Sequence, residues 1–126
     1  MSAGFPNLFA ITGPQSPSVL TNMPVAIEQH VEWISGLIGH MREGGLVVVE
    51  PTREAEEEWV DHSQEVAHST LLPESATWYM GANIPGKPQV FLPYLGGLGP
   101  YRQKRGEVAA NGYEGFAFAS RKETNA

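Results

Sequence analysis

Apolar positions first gather in a short run, Asn7 to Thr12 (NLFAIT), closed by Gly13-Pro14. A continuous apolar run of that length, bounded by Gly-Pro, predicts a buried strand feeding a loop. The loop is the Ser-, Pro- and Thr-rich stretch from Gly13 to Asn22. Beyond it, Ile27, Val31, Ile34, Ile38 and Met41 recur at spacings of four and three, which predicts an amphipathic helix with one buried stripe. Asn22 is placed to cap this helix, Pro24 falls in its first turn, and Gly44-Gly45 ends it. Leu46 to Val49 is a short β-branched run suited to a strand, and Pro51-Thr52 opens a second helix. Glu54, Glu56, Glu57 and Glu58 crowd the first turns of that helix, where carboxylates favour the positive end of the dipole. Trp59 and Val66, seven apart, are expected on its buried side, and it should end by Pro73.

From Pro73 to Pro100 no period of either kind is sustained, and prolines, glycines and the aromatics Trp78, Tyr79, Phe91 and Tyr94 alternate irregularly. So long an irregular stretch inside a compact domain suggests a binding loop or lid. A third helix is expected from about Tyr101 to Ala110, stopped at Asn111-Gly112, then a strand from Tyr113 to Ala119. Residues Ser120 to Ala126 read as a polar frayed tail. The fold class that follows is mixed α/β: three helices with short strands and long loops in one small domain.

Composition narrows the chemistry. With 8 basic against 14 acidic residues the net charge is -6, which repels a polyphosphate backbone and argues against nucleic acid. The absence of cysteine removes disulfides, thiolate metal sites and cysteine nucleophiles together. No stretch is apolar enough to span a bilayer and no signal-peptide pattern opens the chain, so a cytoplasmic protein without a membrane partner is expected. His30, His40, His62 and His68 form no pair at the i, i+4 spacing that favours metal ligation, and no metal site is expected. Neither a Gly-x-Ser-x-Gly elbow nor a phosphate-binding Gly-Lys-Ser/Thr loop is present. Consecutive glutamates at 56 to 58 point about 100° apart on a helix and so do not face one another across a substrate.

Two stretches remain. The helix after the Gly13 to Asn22 loop presents unpaired amides and partial positive charge to whatever lies in that loop, a place suited to an anionic or electron-rich ligand edge, or simply an ordinary crossover with its cap. Thr77 to Lys87 (TWYMGANIPGK) combines an indole, glycines that allow close backbone approach and a terminal cation; it is either a ligand loop or a core tryptophan with a turn.

A resemblance separates these alternatives. Gly4-Phe5-Pro6-Asn7-Leu8-Phe9, Gly13-Pro14-Gln15-Ser16-Pro17-Ser18, Ile27-Glu28-Gln29-His30-Val31-Glu32-Trp33 and Gly81-Ala82-Asn83-Ile84-Pro85-Gly86-Lys87 occur in this order. Tyr94-Leu95-Gly96-Gly97, Tyr101-Arg102 and Glu107-Val108-Ala109-Ala110-Asn111-Gly112-Tyr113-Glu114-Gly115-Phe116 continue the series. In these motifs the chain resembles the C-terminal segment of the flavin-dependent Baeyer-Villiger monooxygenases of the cyclohexanone and phenylacetone type. Arg105 and Gly106 depart from that pattern, and a glycine inside a helix costs about 1 kcal/mol relative to alanine.

The resemblance implies FAD and NADP as cofactors, with O2 and a ketone as substrates and an ester or lactone as product. The hard chemistry belongs to the cofactor, while the protein positions it and excludes water. Residues 1–119 would be the C-terminal part of a flavoprotein with two dinucleotide-binding domains, 1–45 a strand-loop-helix on the FAD side, 73–90 a lid loop over NADP, and 120–126 a tail. Ser18, Asn22 and Met23 match positions beside the flavin, and Trp78 and Lys87 positions on the NADP side. Val19, Leu20, Met23 and Pro93 match positions lining the ketone pocket. No catalytic residue is implied, because the dinucleotide folds and the catalytic arginine of the family belong upstream and do not occur here. The partners expected are therefore the upstream FAD and NADPH domains, in one chain or as a split enzyme. The chain alone should be inactive, and exposed apolar faces could self-associate. The alternative is a noncatalytic remnant or interaction module of the same family.

Overall fold

The computed structural model describes residues 1–17, 22–69, 85–86 and 94–124. In chain order these form α1 (Met23–Glu43), β1 (Leu46–Pro51), α2 (Arg53–His68), α3 (Leu98–Ala110), β2 (Phe116–Ser120) and α4 (Arg121–Thr124). The mixed α/β class holds, with three long helices and a short fourth in the expected tail. β1 and β2 form a two-stranded antiparallel sheet running from Leu46 against Ser120 to Pro51 against Phe116, with a bulge between Leu46 and Val48.

Local chemistry explains the boundaries. Asn22 caps α1 by accepting from the Val25 amide, and Pro24 sits in the first turn where its missing N–H costs nothing. The Gly44 amide closes the helix onto the His40 and Arg42 carbonyls, and Gly45 turns the chain at φ 65. Thr52 caps α2 through the Ala55 amide at 3.2 Å. α3 starts three residues before the expected Tyr101, at Leu98, because Gly97 (φ 86) sets the turn into it. β2 starts at Phe116 rather than Tyr113, since Tyr113 lies in the left-handed region at φ 61 and cannot join a ladder.

The core lies where α1 crosses the sheet: Leu37, Met41, Val49 and Tyr113 are buried, with Trp33, Leu46, Phe116 and Phe118 packed around them. Trp33 meets the Tyr113 ring edge-to-face at 5.5 Å, a favoured aromatic geometry.

Three expectations need correction. Asn7 to Thr12 is not a strand: Asn7 and Thr12 have positive φ, and Leu8 and Ile11 are exposed. One residue takes the place of a third strand. Asn7 donates its amide to Val49 O at 2.9 Å, accepts from Val49 N at 2.9 Å through Oδ1, and donates Nδ2 to Val47 O at 3.1 Å. The free edge of β1 is thereby satisfied without a ladder. On α1 the buried side is Ala26, His30, Leu37 and Met41 with half-buried Trp33, whereas Ile27 (41%), Val31 (46%) and Ile38 (45%) remain exposed. On α2 the buried residues are Ser63 and Ala67, with Trp59 and Val66 only half-buried.

Candidate functional site

The Gly13 to Pro17 loop leads into the N-terminus of α1, and its position is fixed by hydrogen bonds from separate elements. The Thr12 amide donates to His30 Nδ1 on α1 at 3.0 Å, Trp59 Nε1 on α2 donates to Gln15 O at 3.2 Å, and the Tyr94 amide donates to Ser16 O at 2.9 Å. Ser16 Oγ donates to Gly13 O at 2.6 Å, closing the loop on itself, and Ser16 and Pro17 are buried. These hydrogen bonds help offset the backbone entropy that ordering several loop residues costs.

The bracing groups belong to an aromatic and cationic cluster that joins α1, α2 and α3. Because His30 Nδ1 accepts from an amide, its proton sits on Nε2 and is donated to the Tyr101 hydroxyl at 3.0 Å. Burial, then the nearby Arg105 guanidinium, lower the His30 pKa to about 4, so it is neutral at physiological pH. Arg105 donates Nη2 to the Gln29 carbonyl at 2.7 Å and lies 5.1 Å from the Tyr101 ring and 5.6 Å from the Trp33 ring, whose indole donates to the Arg105 carbonyl at 3.0 Å. Trp59 stacks on Tyr94 at 5.1 Å, and His62 Nε2 pairs with the Tyr94 hydroxyl at 3.1 Å. Burial raises both Tyr94 and Tyr101, with Arg105 partly offsetting the shift at Tyr101, and both stay protonated. His62 is lowered by burial and then by Lys104, against an opposing effect of Glu65. Beside the cluster is a cavity of about 560 Å3 whose lining includes Gln15, His30, Trp33, Trp59 and Tyr101.

This cluster escaped the sequence reading. Its members lie 71 residues apart at His30 and Tyr101 and 32 apart at His62 and Tyr94, so no local pattern could link them. The one local sign was the helical spacing of Trp59 to His62 and of Tyr101 to Arg105. Both nitrogens of His30 are engaged and its ring is neutral, so the cluster positions the loop rather than exchanging protons.

Of the residues expected at the site, Asn22 and Met23 are described: Asn22 is the exposed cap of α1 and Met23, 37% exposed, is its first residue. No acidic side chain occupies the first turn of α1, so the partial positive charge of this 21-residue helix is not neutralised there by its own residues. Ser18, Val19, Leu20, Trp78, Lys87 and Pro93 lie outside the described residues. Among the described residues no group of three His, Asp or Glu could hold a metal ion, and no helix is long and apolar enough to cross a membrane.

No family model matches the chain. It is 46% identical over 120 residues to the acetone monooxygenase (methyl acetate-forming) of Gordonia sp. (strain TY-5), covering 94% of this chain and 22% of that relative. It is 45% identical over 113 residues to a Baeyer-Villiger monooxygenase of Pseudooceanicola batsensis, covering 90% of this chain and 20% of the relative. Among solved structures it is similar to NADP+-bound cyclohexanone monooxygenase from Rhodococcus sp. Phi1, with a TM-score of 0.87 and 44% identity over 94% of this chain and 22% of that one. The chain thus spans about a fifth of the length of the relatives it matches.

Proposed function

We propose that this chain, a member of the Baeyer-Villiger monooxygenases homologous to about a fifth of their length, supplies the C-terminal wall of an FAD- and NADPH-dependent enzyme that inserts oxygen beside a ketone carbonyl. The observation that carries the reading is the likeness of 94% of the chain, at a TM-score of 0.87, to a monooxygenase with NADP+ bound. The geometry of α1 fits the FAD assignment, since an exposed helix N-terminus without a neutralising carboxylate favours an electron-rich ring edge. Asn22 and Met23, with Ser18 before them, would flank the flavin. Met23 with Val19, Leu20 and Pro93 would shape the ketone pocket. Trp78 and Lys87 would meet NADP from a loop that closes over it.

FAD, when bound, supplies the oxygen activation; the residues of this chain hold the loop, present the helix dipole and exclude water. In this reading these residues carry positioning roles, and turnover would draw on the part of the enzyme that corresponds to the remaining four fifths of the relatives, whether in one polypeptide or two. The test mixes the purified chain with FAD, NADPH and a polypeptide carrying the two dinucleotide-binding domains. Ketone-dependent NADPH oxidation that appears only in the complete mixture is the expected result. A stable complex without turnover would instead favour a noncatalytic interaction module.

A further inference from the structure

Thr12 and Gln15, at the start and in the middle of the loop before α1, have φ 53 and 60, a region that residues with side chains rarely adopt. Such strain persists only where the surroundings over-determine it, and it gathers at working sites. Each strained residue here is held from outside the loop. The Thr12 amide is held by His30. Around Gln15 the holding groups are Tyr94 and the tryptophan it stacks on. Tyr94 donates its amide to Ser16 O at 2.9 Å, and Trp59, 5.1 Å from the Tyr94 ring, donates to Gln15 O at 3.2 Å. The buried Tyr94 hydroxyl pairs with His62, three residues beyond Trp59 and so on the same side of α2. Gly96 makes this pose possible, because a Cβ there would overlap the Tyr94 ring and hydroxyl.

We propose that Tyr94 is a positioning residue for ketone oxidation, pinning the Ser16 backbone so that the two segments tied there present their ketone-binding residues at a fixed spacing. The inference rests on the family reading of the ketone pocket and adds to it a residue that acts through the loop. In that reading Val19 and Leu20 follow closely on Ser16 in sequence, and Pro93 directly precedes Tyr94. The hydrogen bond between Ser16 and Tyr94 therefore ties together two segments that are remote in sequence and assigned to one pocket. A loop shifted by loss of this clamp weakens ketone binding in the ground state and the transition state alike, so KM rises and kcat does not fall. Partial unfolding does the reverse: it lowers the active fraction, and so kcat, with KM unchanged.

The test uses a chimera in which this chain replaces the matching segment of the Gordonia relative, with acetone as substrate. Tyr94→Phe, which removes the His62 contact alone, should raise the KM for acetone roughly two- to tenfold, the size of one lost hydrogen bond, with kcat per bound flavin within about twofold. Gly96→Ala, which evicts the ring, should act in the same sense and more strongly. His62→Gln, whose side chain can still meet the hydroxyl, should lie closer to the unsubstituted chimera than His62→Ala. Gly45→Ala, strained at φ 65 beyond the far end of α1, is the control and should lower stability without moving KM. In the chain alone, hydrogen exchange at the Trp59 indole should quicken in Tyr94→Phe and Gly96→Ala as the clamp loosens. KM unchanged in both variants despite faster Trp59 exchange would overturn the inference, and so would a fall in kcat alone, the pattern of Gly45→Ala. Exchange unchanged in both would overturn it too, because the clamp would not be holding the loop. An unsubstituted chimera that binds FAD yet oxidises no ketone would sink the family reading and the inference together.

Discussion

Acidification should destabilise this protein through His30 before general carboxylate protonation does. His30 is 6% exposed, accepts from the Thr12 amide and donates to Tyr101, and its pKa is about 4 against the ordinary 6.5. Between those values the unfolded chain binds a proton that the folded chain does not, so stability is complete above about pH 6.5 and is lost as pH falls toward 4. A separation of about 2.5 units at about 1.36 kcal/mol each sets an upper limit of about 3 kcal/mol. Since small domains are stable by only about 5–15 kcal/mol, the loss should be plain in urea midpoints. The physical cause is specific: a proton on Nδ1 would face the Thr12 N–H and add charge beside Arg105. His30→Asn, whose side-chain oxygen can still accept from Thr12, should cost about 1 kcal/mol near neutral pH through the lost Tyr101 contact and flatten the acid limb. His62, lowered in the same direction, contributes equally to both proteins and cancels in the comparison. Parallel acid limbs for His30→Asn and the unmodified chain would refute the assignment.

Gly115 and Gly106 should respond in opposite ways. Gly115 has φ 86, and an added Cβ would lie 2.8 Å from Ala55 Cβ, so Gly115→Ala should lower stability by at least about 1–3 kcal/mol in urea titration. Gly106, inside α3 with open space around it, should gain about 0.5–1 kcal/mol on Gly106→Ala. In the reconstituted enzyme, Trp78→Ala should raise the NADPH consumed per product formed, measured by oxidation rate against product yield, and unchanged coupling would count against the lid role.

The succession α1, β1, α2, α3 and β2 was determined by sequence alone because its signals are local. Asn22, Pro24, Gly44-Gly45 and Thr52 act on backbone groups within a few residues of themselves, and the structure places the boundaries of α1 and the start of α2 there. The ordered motifs likewise carried the resemblance to the Baeyer-Villiger monooxygenases, since a series of short matches needs no tertiary information. The burial of α1 was decided only by folding. Periodicity showed a helix with an apolar stripe, but α1 is apolar over a wider arc than one contact fills, and the chain's own core took the line through Leu37 rather than the line through Val31. The NLFAIT run failed as a strand for a related reason: β1 needed only partners for its edge, and Asn7 supplies them with backbone and side chain. The cluster of His30, Trp59, Tyr94, Tyr101 and Arg105 exists only because α1, α2 and α3 converge, and hydrogen bonds across 32 to 76 residues leave no trace in a local pattern.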